Sequence, residues 1–515
     1  MQENGAGCRS IMNTDLFSFD LPGSRIHLVG AKGTGMTALA EILHHRGALL
    51  SGSDVPDVFY TDRILRSLGI ELYDSFDPAH IPPDCKLIIH SAAYSRETNP
   101  ELREAIRRSI PIASYPEALG ALSRTCLSAG IAGVHGKTTT TALAGTILER
   151  LSIPTTVLAG SAVSNFNDRC TLVQGGKYFV AETCEYRKHF LNFSPRWIVL
   201  TSVESDHQDF FPTYESIRDA FVEYACSLPE HGTLIFCADD RGASEVADIV
   251  LQKRSDIEFI GYGFSAPGPW RITNLRTREG ENSFSLTGTA QTFRLHLPGT
   301  HLILDAVAAL ILSYLLFRQE HARSFDSTEW SIASEAIAAF HGSKRRSERI
   351  AEEGGVLFLD DYGHHPTAIA ATIEGIKRFW PRRRLVVDFM SHTYSRTIAL
   401  QDAFVSALDQ ADAVALHRIY ASAREKPLEG FSGRTLFDKL CARRPDLHPL
   451  DPLSSIQSPQ LDAGFALYTE EPLDAVPVLE TLLKPGDIFL TMGAGDNWKV
   501  GVALAERFKT QHQSL

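Results

Sequence analysis

Gly133-Val134-His135-Gly136-Lys137-Thr138-Thr139 is the stretch of this 515-residue chain with the most direct chemical meaning. It follows an apolar run, Cys126 to Ala132, that reads as a buried strand, and it opens a helical segment from Thr138 to Leu151. A Gly-rich turn between strand and helix aims several backbone N–H groups at one point. The helix N-terminus adds unpaired donors and partial positive charge. Lys137 supplies a mobile cation for β- and γ-phosphate oxygens, and the Thr138 hydroxyl can ligate Mg²⁺. That chemistry is nucleoside triphosphate binding. The loop is shorter than the full phosphate-loop pattern, because Ile131 stands where that pattern has Gly. A plain βα turn ending in Lys-Thr competes with it, so the rest of the chain decides.

Glu182 directly follows the apolar run Tyr178–Ala181, and His207 lies just past the run Trp197–Leu200. If both runs are strands beside the phosphate-loop strand, both side chains project from strand ends toward the phosphates. A carboxylate there, with the Thr138 hydroxyl, suits octahedral Mg²⁺, and His207 can complete a second metal position or offset developing charge. The same donors admit Mn²⁺. Farther along, Asp360-Asp361-Tyr362-Gly363-His364-His365-Pro366 crowds two carboxylates and two imidazoles onto one turn. Helix capping before Pro366 accounts for at most one of the carboxylates. His392-Thr393-Tyr394-Ser395-Arg396-Thr397 again follows a strand, and Arg396 can hold a carboxylate bidentately. Near the N-terminus, Gly30-Ala31-Lys32-Gly33-Thr34-Gly35 joins a strand to a helix, with Asp54 at the distance of a ribose contact. Its spacing is Gly-x-x-Gly-x-Gly, which suits a diphosphate other than NAD.

Length and composition bound these readings. A chain this long exceeds one core and is divided among two to four domains. With 50 Lys+Arg against 62 Asp+Glu, the net charge of −12 argues against a nucleic-acid partner. The eight cysteines include no Cys-x-x-Cys pair, so neither a disulfide framework nor a zinc site is indicated, which suits a reducing cytoplasm. The longest apolar candidate, Leu302 to Phe317, is interrupted by Asp305, so no membrane insertion is expected. Oligomeric state stays open.

Elements must position these residues, and three α/β blocks can be read. Repeated strand–helix alternation predicts mainly parallel sheets with ligands at the strand C-terminal ends. Residues 1–22 read as an extension, 23–124 as a Rossmann-like domain, 125–343 as a central phosphate-loop ATPase domain and 344–515 as a second Rossmann-like domain. Alternating segments between Trp270 and Leu297 add a small antiparallel element to the central block.

Taken together these motifs resemble the Mur ligase family over roughly residues 23 to 510. The resemblance is carried by Gly30–Met36, Ser51–Asp54, Gly136–Thr140, Glu182, Asp206-His207, Pro298-Gly299-x-His301, Lys344–Arg346, Asp360–Pro366, His392–Thr397 and Thr491–Asp496. The runs 360–366 and 392–397 are the specific part, because they separate the alanine-adding branch from its siblings. The resemblance implies a UDP-sugar domain, a central ATPase and an amino-acid domain. It also implies ATP-dependent ligation of L-alanine to the carboxylate of UDP-N-acetylmuramate through an acyl phosphate. Under it, Gly133, His135, Gly136, Lys137, Thr138 and Thr139 hold the ATP phosphates, and Thr138, Glu182 and His207 the metal. His301 and Asp305 lie by the adenine, Arg346 near phosphate and Asp361 on the ribose. Gly30, Lys32, Gly33, Gly35, Asp54 and Ser91 line the UDP-sugar site, while His364, His365, His392 and Arg396 face the amino acid. Lys137, His207, His364 and Arg396 carry the catalysis. Four positions depart from the family pattern: Lys32 replaces a Gly, Leu302 and Asp305 stand where Asn is usual, and Thr393 replaces a frequent Arg. The 181–186 stretch is also less acidic, so Glu182 is the expected metal ligand and Glu185 its alternate. A sibling ligase using another amino acid or peptide, or a non-catalytic nucleotide-binding relative, is the competing reading.

Overall fold

Strand order in the first sheet sets where a ligand can enter. In the computed structural model, which describes residues 16–17, 20–421, 430–450 and 464–513, strands β1 (Arg25–Val29), β2 (Leu49–Ser53), β3 (Glu71–Tyr73), β4 (Leu87–His90) and β5 (Ile112–Ser114) pair in the order β3-β2-β1-β4-β5, all parallel. Most of the expected extension, residues 1–15, lies outside the described residues. The order reverses beside β1, so the connections leaving β1 and β4 diverge and open a crevice at the strand C-termini. The helix Thr34–His45 packs its apolar face, Met36, Leu39, Ile42 and Leu43, onto the buried Ile26 and Leu28 of β1. That spacing is helical, and it points the helix N-terminus into the crevice.

The second sheet uses β6 (Leu127–Ala132), β7 (Thr155–Val163), β8 (Arg169–Val173), β9 (Tyr178–Glu182), β10 (Trp197–Leu200), β11 (Thr233–Cys237) and β12 (Glu258–Tyr262) in the order β12-β11-β10-β6-β9-β7-β8. Only the β7–β8 pair is antiparallel. β6, which leads into the phosphate loop, sits between β9 and β10, with Ile131 opposite Glu182 and Ala132 opposite Leu200. The ends of all three strands therefore share one edge. The helix Lys137–Arg150 lies against the 22-residue helix Thr300–His321, and both are buried on nearly all sides. Thr300–His321 is long and apolar enough to cross a membrane by length and composition, yet most of it is core here. A helix apolar all round is what a position inside a large domain requires. β13 (Ile272–Arg278), β14 (Glu281–Leu286) and β15 (Thr292–Leu295) form the small antiparallel addition.

The third large sheet contains β16 (Glu348–Glu353), β17 (Val356–Asp361), β18 (Leu385–Met390), β19 (Ala413–Leu416), β20 (His448–Leu450), β21 (Phe465–Tyr468) and β22 (Ile488–Gly493) in the order β16-β17-β22-β18-β19-β21-β20. It is parallel apart from the edge pair β16–β17. β3, β5, β7, β8, β12, β16, β20 and β21 are not legible in the sequence. β7 carries Gly160 and Ser161 within its span, and the edge strands β8, β16 and β20 lack a continuous apolar run to announce them.

Short-range contacts tie the three units together. Glu41, on the first helix, accepts from Arg169 at 3.1 Å, from the Cys170 amide at 3.2 Å and from the Thr171 hydroxyl at 3.1 Å. Between the second and third units, the helix Pro366–Phe379 lies so close to the turn before Thr300 that a Cβ at Gly375 would sit 2.6 Å from the Gly299 Cα. Gly375→Val is therefore expected to prise the third unit off the second, seen as a larger radius of gyration in small-angle scattering; an unchanged radius would mean the Gly299 turn yields instead.

Candidate active site

The phosphate loop leaves β6 at Gly133 and turns into its helix at Gly136, whose φ of +81° is a left-handed conformation that Gly adopts without strain. A Cβ there would also lie 2.4 Å from an Asp305 oxygen, so only Gly lets that carboxyl close over the loop. The Lys137 ammonium folds back onto the Gly133 carbonyl and reaches Glu185 at 3.0 Å. Burial opposes its charge, but Glu185 outweighs burial and keeps the ammonium's pKa raised. Burial also works against the Glu185 carboxylate, and Lys137 with His207 holds it below the usual range. His207 Nε2 lies 3.2 Å from the second oxygen of Glu185. Thr139 is buried in the first turn of the helix.

Glu182, at the end of β9, accepts a hydrogen bond from the Thr138 hydroxyl at 2.7 Å. A Cβ at Gly160 would come within 1.9 Å of its other oxygen, so the neighbouring strand is cleared of side chains for this carboxylate. A hydroxyl and a carboxylate in contact, with the His207 imidazole on the far side of β6, are donors of the type that would hold Mg²⁺ or Mn²⁺. Glu185 differs from its expected place: it pairs with Lys137 and His207 rather than standing beside Thr138.

Across the cleft, the third unit presents His364, His365, His392 and Arg396. Arg396 donates to Asp206 at 2.5 Å, with both side chains almost fully buried. Burial pushes the Asp206 carboxyl up, but Arg396 and His207 outweigh it and hold the group well below the usual range. His392 lies 3.2 Å from the other Arg396 nitrogen, faces His364 edge-on at 5.6 Å between ring centroids, and stacks on Tyr420. Burial, reinforced by Arg396, drives the His364 pKa well down, so its imidazole is neutral. His365 and Thr367 both meet Glu204, at 3.4 Å and 2.9 Å, and Glu204 also contacts His135 of the phosphate loop. Glu204 and Tyr420 were missed from sequence. Glu204 lies two residues before Asp206-His207 and carried no spacing signal of its own, while Tyr420 reaches the site only through the sheet.

The nucleotide-base side departs more. His301 opens the helix Thr300–His321, and its Nδ1 is buried with no hydrogen-bond partner in the protein. Leu302 packs into the apolar core beside the phosphate-loop helix, so the family's usual Asn contact has no counterpart at this position. Asp305 lies against the loop rather than apart from it, accepting from Thr140 at 3.3 Å, and burial lifts its pKa to about 8. Asp361 accepts from the Ser347 amide and hydroxyl and from the Gly363 amide, bracing its own turn. Arg346 lies over the Tyr362 ring.

In the first unit, the Lys32 side chain is only 1% exposed; its ammonium meets the Val55 and Asp57 carbonyls, Asp62 and Asp74, and so braces the 55–62 segment. Asp54 accepts from the Lys32 and Val55 amides and the Tyr94 hydroxyl, and closes the turn. The first helix's N-terminus, at Gly33 and Gly35, lies beside Gly30 and Ser91 with its first amides at the crevice. From there a cavity of about 150 Å³ lined by Gly35, Tyr115, Glu182 and Thr183 leads into the central site.

A phosphate loop alone serves many reactions. One that faces, across a domain boundary, an arginine and neutral imidazoles suited to an amino acid belongs to ATP-dependent ligases, which activate an acid with a triphosphate and pass it to an amine. The sequence matches the Mur ligase family, catalytic domain over residues 25–125, the Mur ligase middle domain over 131–313 and the Mur ligase, glutamate ligase domain over 345–495. The chain belongs to the Mur ligase family. It is 46% identical to the UDP-N-acetylmuramate–L-alanine ligase of Treponema pallidum, over 96% of this chain and 98% of that one. The ligase of the same name from Borrelia garinii is 37% identical over 92% of this chain and 97% of its own. Among solved structures, the UDP-N-acetylmuramate-alanine ligase of Thermotoga maritima superposes with a TM-score of 0.72 at 23% identity, covering 95% of this chain and 99% of that one, and so shares the fold.

The Asp305 carboxyl gives a pH signature. Its folded pKa of about 8 lies above the ordinary carboxyl value, so between the two the folded state keeps a proton that the unfolded state has lost. Stability therefore falls as pH rises through that window. Asp305→Asn should match wild type in acid and exceed it by about 1–3 kcal/mol at pH 9 in urea unfolding; a pH-independent difference would contradict a neutral carboxyl.

Proposed function

We propose that this chain joins L-alanine to the carboxylate of UDP-N-acetylmuramate, converting ATP to ADP and phosphate, in the synthesis of peptidoglycan precursors. The observation that carries the reading is the 46% identity along nearly the whole chain to a ligase of that specificity. The convergence of Lys137, Thr138, Glu182 and His207 with His364, His392 and Arg396 in one cleft supports it. A reducing cytoplasm, where cysteines stay as thiols, suits the seven free ones among the described residues.

In this reading the UDP-sugar lies along the first unit, with its diphosphate at the helix N-terminus near Gly33 and its muramoyl carboxylate reaching through the cavity toward Glu182. That carboxylate attacks the γ-phosphoryl group of ATP. Lys137, released from Glu185, follows the transferring phosphate and offsets its charge. Thr138, Glu182 and His207 would hold Mg²⁺, which supplies further positive charge at the phosphates. Arg396 holds the L-alanine carboxylate and presents the amine to the acyl phosphate. The neutral His364 is placed to take the amine's proton as the amide forms and phosphate leaves. Positioning three reactants and keeping water from the acyl phosphate are the main contributions of the fold.

Labelled L-alanine should be incorporated only with UDP-N-acetylmuramate and ATP present; incorporation of D-glutamate but not L-alanine would make the chain a sibling ligase. Lys137→Ala should lower ligation by at least about 1,000-fold, the scale of losing a preorganised transition-state charge, while calorimetric UDP-sugar affinity stays nearly intact. Equal loss of both would contradict the division of labour between the units.

A further inference from the structure

We propose that His135, Glu204 and His365 form a tetrahedral site for a borderline divalent metal such as Zn²⁺, one that ties the central unit to the C-terminal unit. It uses none of the residues assigned to the phosphate-linked Mg²⁺. His135 comes from the phosphate loop, Glu204 from the segment after β10, and His365 from the residue that caps the helix Pro366–Phe379. Their ligand atoms, one from each residue, all lie within 4.8 Å of one another.

The donor set is two imidazole nitrogens and one carboxylate oxygen. Hard Mg²⁺ prefers oxygen, whereas three protein ligands of this kind plus an open fourth position are characteristic of zinc. The geometry is close to what the ion needs. Bonds of 2.0–2.1 Å in a tetrahedron put neighbouring ligand atoms about 3.3 Å apart, and His365 Nδ1 stands 3.4 Å from Glu204 Oε1. His135 Nε2 stands well inside that spacing from the same oxygen, so its ring must swing outward to admit the ion.

An independent observation points to a missing ligand. His365 Nδ1 is buried and has no hydrogen-bond partner, on a side chain only 8% exposed. Its nearest acid, Glu204 Oε1 at 3.4 Å, is shared with His135; a buried ring nitrogen without a hydrogen bond is costly, and a metal ion between the three groups would satisfy its lone pair. The carboxylate is also prepared. Thr367 donates to Glu204 Oε2 at 2.9 Å, which fixes the group and leaves Oε1 toward both imidazoles. Such an outer contact is what orients metal-binding carboxylates.

Because the ligands come from both sides of the domain boundary, separating the units breaks at least one metal bond. Bound metal therefore favours the docked arrangement and slows any step that requires the cleft to open.

Titrating the full-length, metal-free chain with Co²⁺ in Mg²⁺-free buffer tests this. One equivalent should give the intense visible bands of four-coordinate cobalt, and one equivalent of Zn²⁺ should abolish them. Glu204→Gln and His365→Ala should each weaken cobalt binding by more than about 100-fold, beyond what loss of an outer-shell contact produces, while Glu182→Gln leaves it unchanged. Zn²⁺ should also slow hydrogen exchange from Gly363 to Thr372 in the wild type and in neither of the first two variants. Absence of stoichiometric binding, a six-coordinate spectrum, retention in both Glu204→Gln and His365→Ala, or loss in Glu182→Gln would overturn the proposal.

Discussion

The site depends on one constraint: β6 runs parallel between β9 and β10, so three strand ends share one edge of the central sheet. The phosphate loop, Glu182 and the 201–207 segment each follow one of those strands, and parallel pairing leaves them little freedom to be anywhere else. Lys137 and Glu185, Thr138 and Glu182, and His207 and Glu185 are then matched as acid–base or hydroxyl–acid pairs. The strained φ of His207, +53°, fits a residue held by its surroundings rather than by its own preference.

The segment after β10 has a second use. Glu204 and Asp206 alternate along an extended stretch, and both point across the boundary, one to His365 and Thr367, the other to Arg396. Asp206 and Arg396 therefore form a buried ion pair that spans the boundary. Because the Arg396–Asp206 pair is buried, its strength is set by geometry and by the local dielectric more than by salt. Docking of the third unit on the second runs through this one arginine.

Changes from the family pattern are absorbed locally. Lys32 would leave a long cation in a tight turn, but four acceptors from 55–57, Asp62 and Asp74 surround it. Asp305 would leave a charge in the core beside Leu302, and burial keeps it protonated at neutral pH. In both cases a polar substitution is tolerated because its surroundings either pair it or neutralise it.

The amino-acid sequence by itself determined the α/β class, the parallel sheets with an antiparallel addition, and the motifs at strand ends. These are local properties: periodicity marks a strand or a helix, and Gly, Lys and Thr at fixed offsets mark a phosphate turn. Most strands of the first sheet and the β6–β9–β10 set were legible for that reason, while β7, β8 and β16 were not, since their burial comes from neighbours rather than from pattern. Which polar groups face one another was decided only by the tertiary structure. Lys32 found its partners in Asp62 and Asp74, Glu185 went to Lys137 instead of the Thr138 cradle, and Glu204 entered the cleft with no motif to announce it. The physical reason is range. A side chain's partner is chosen among groups tens to hundreds of residues away along the chain, by distance and desolvation in the folded state, and neither quantity is written in local spacing.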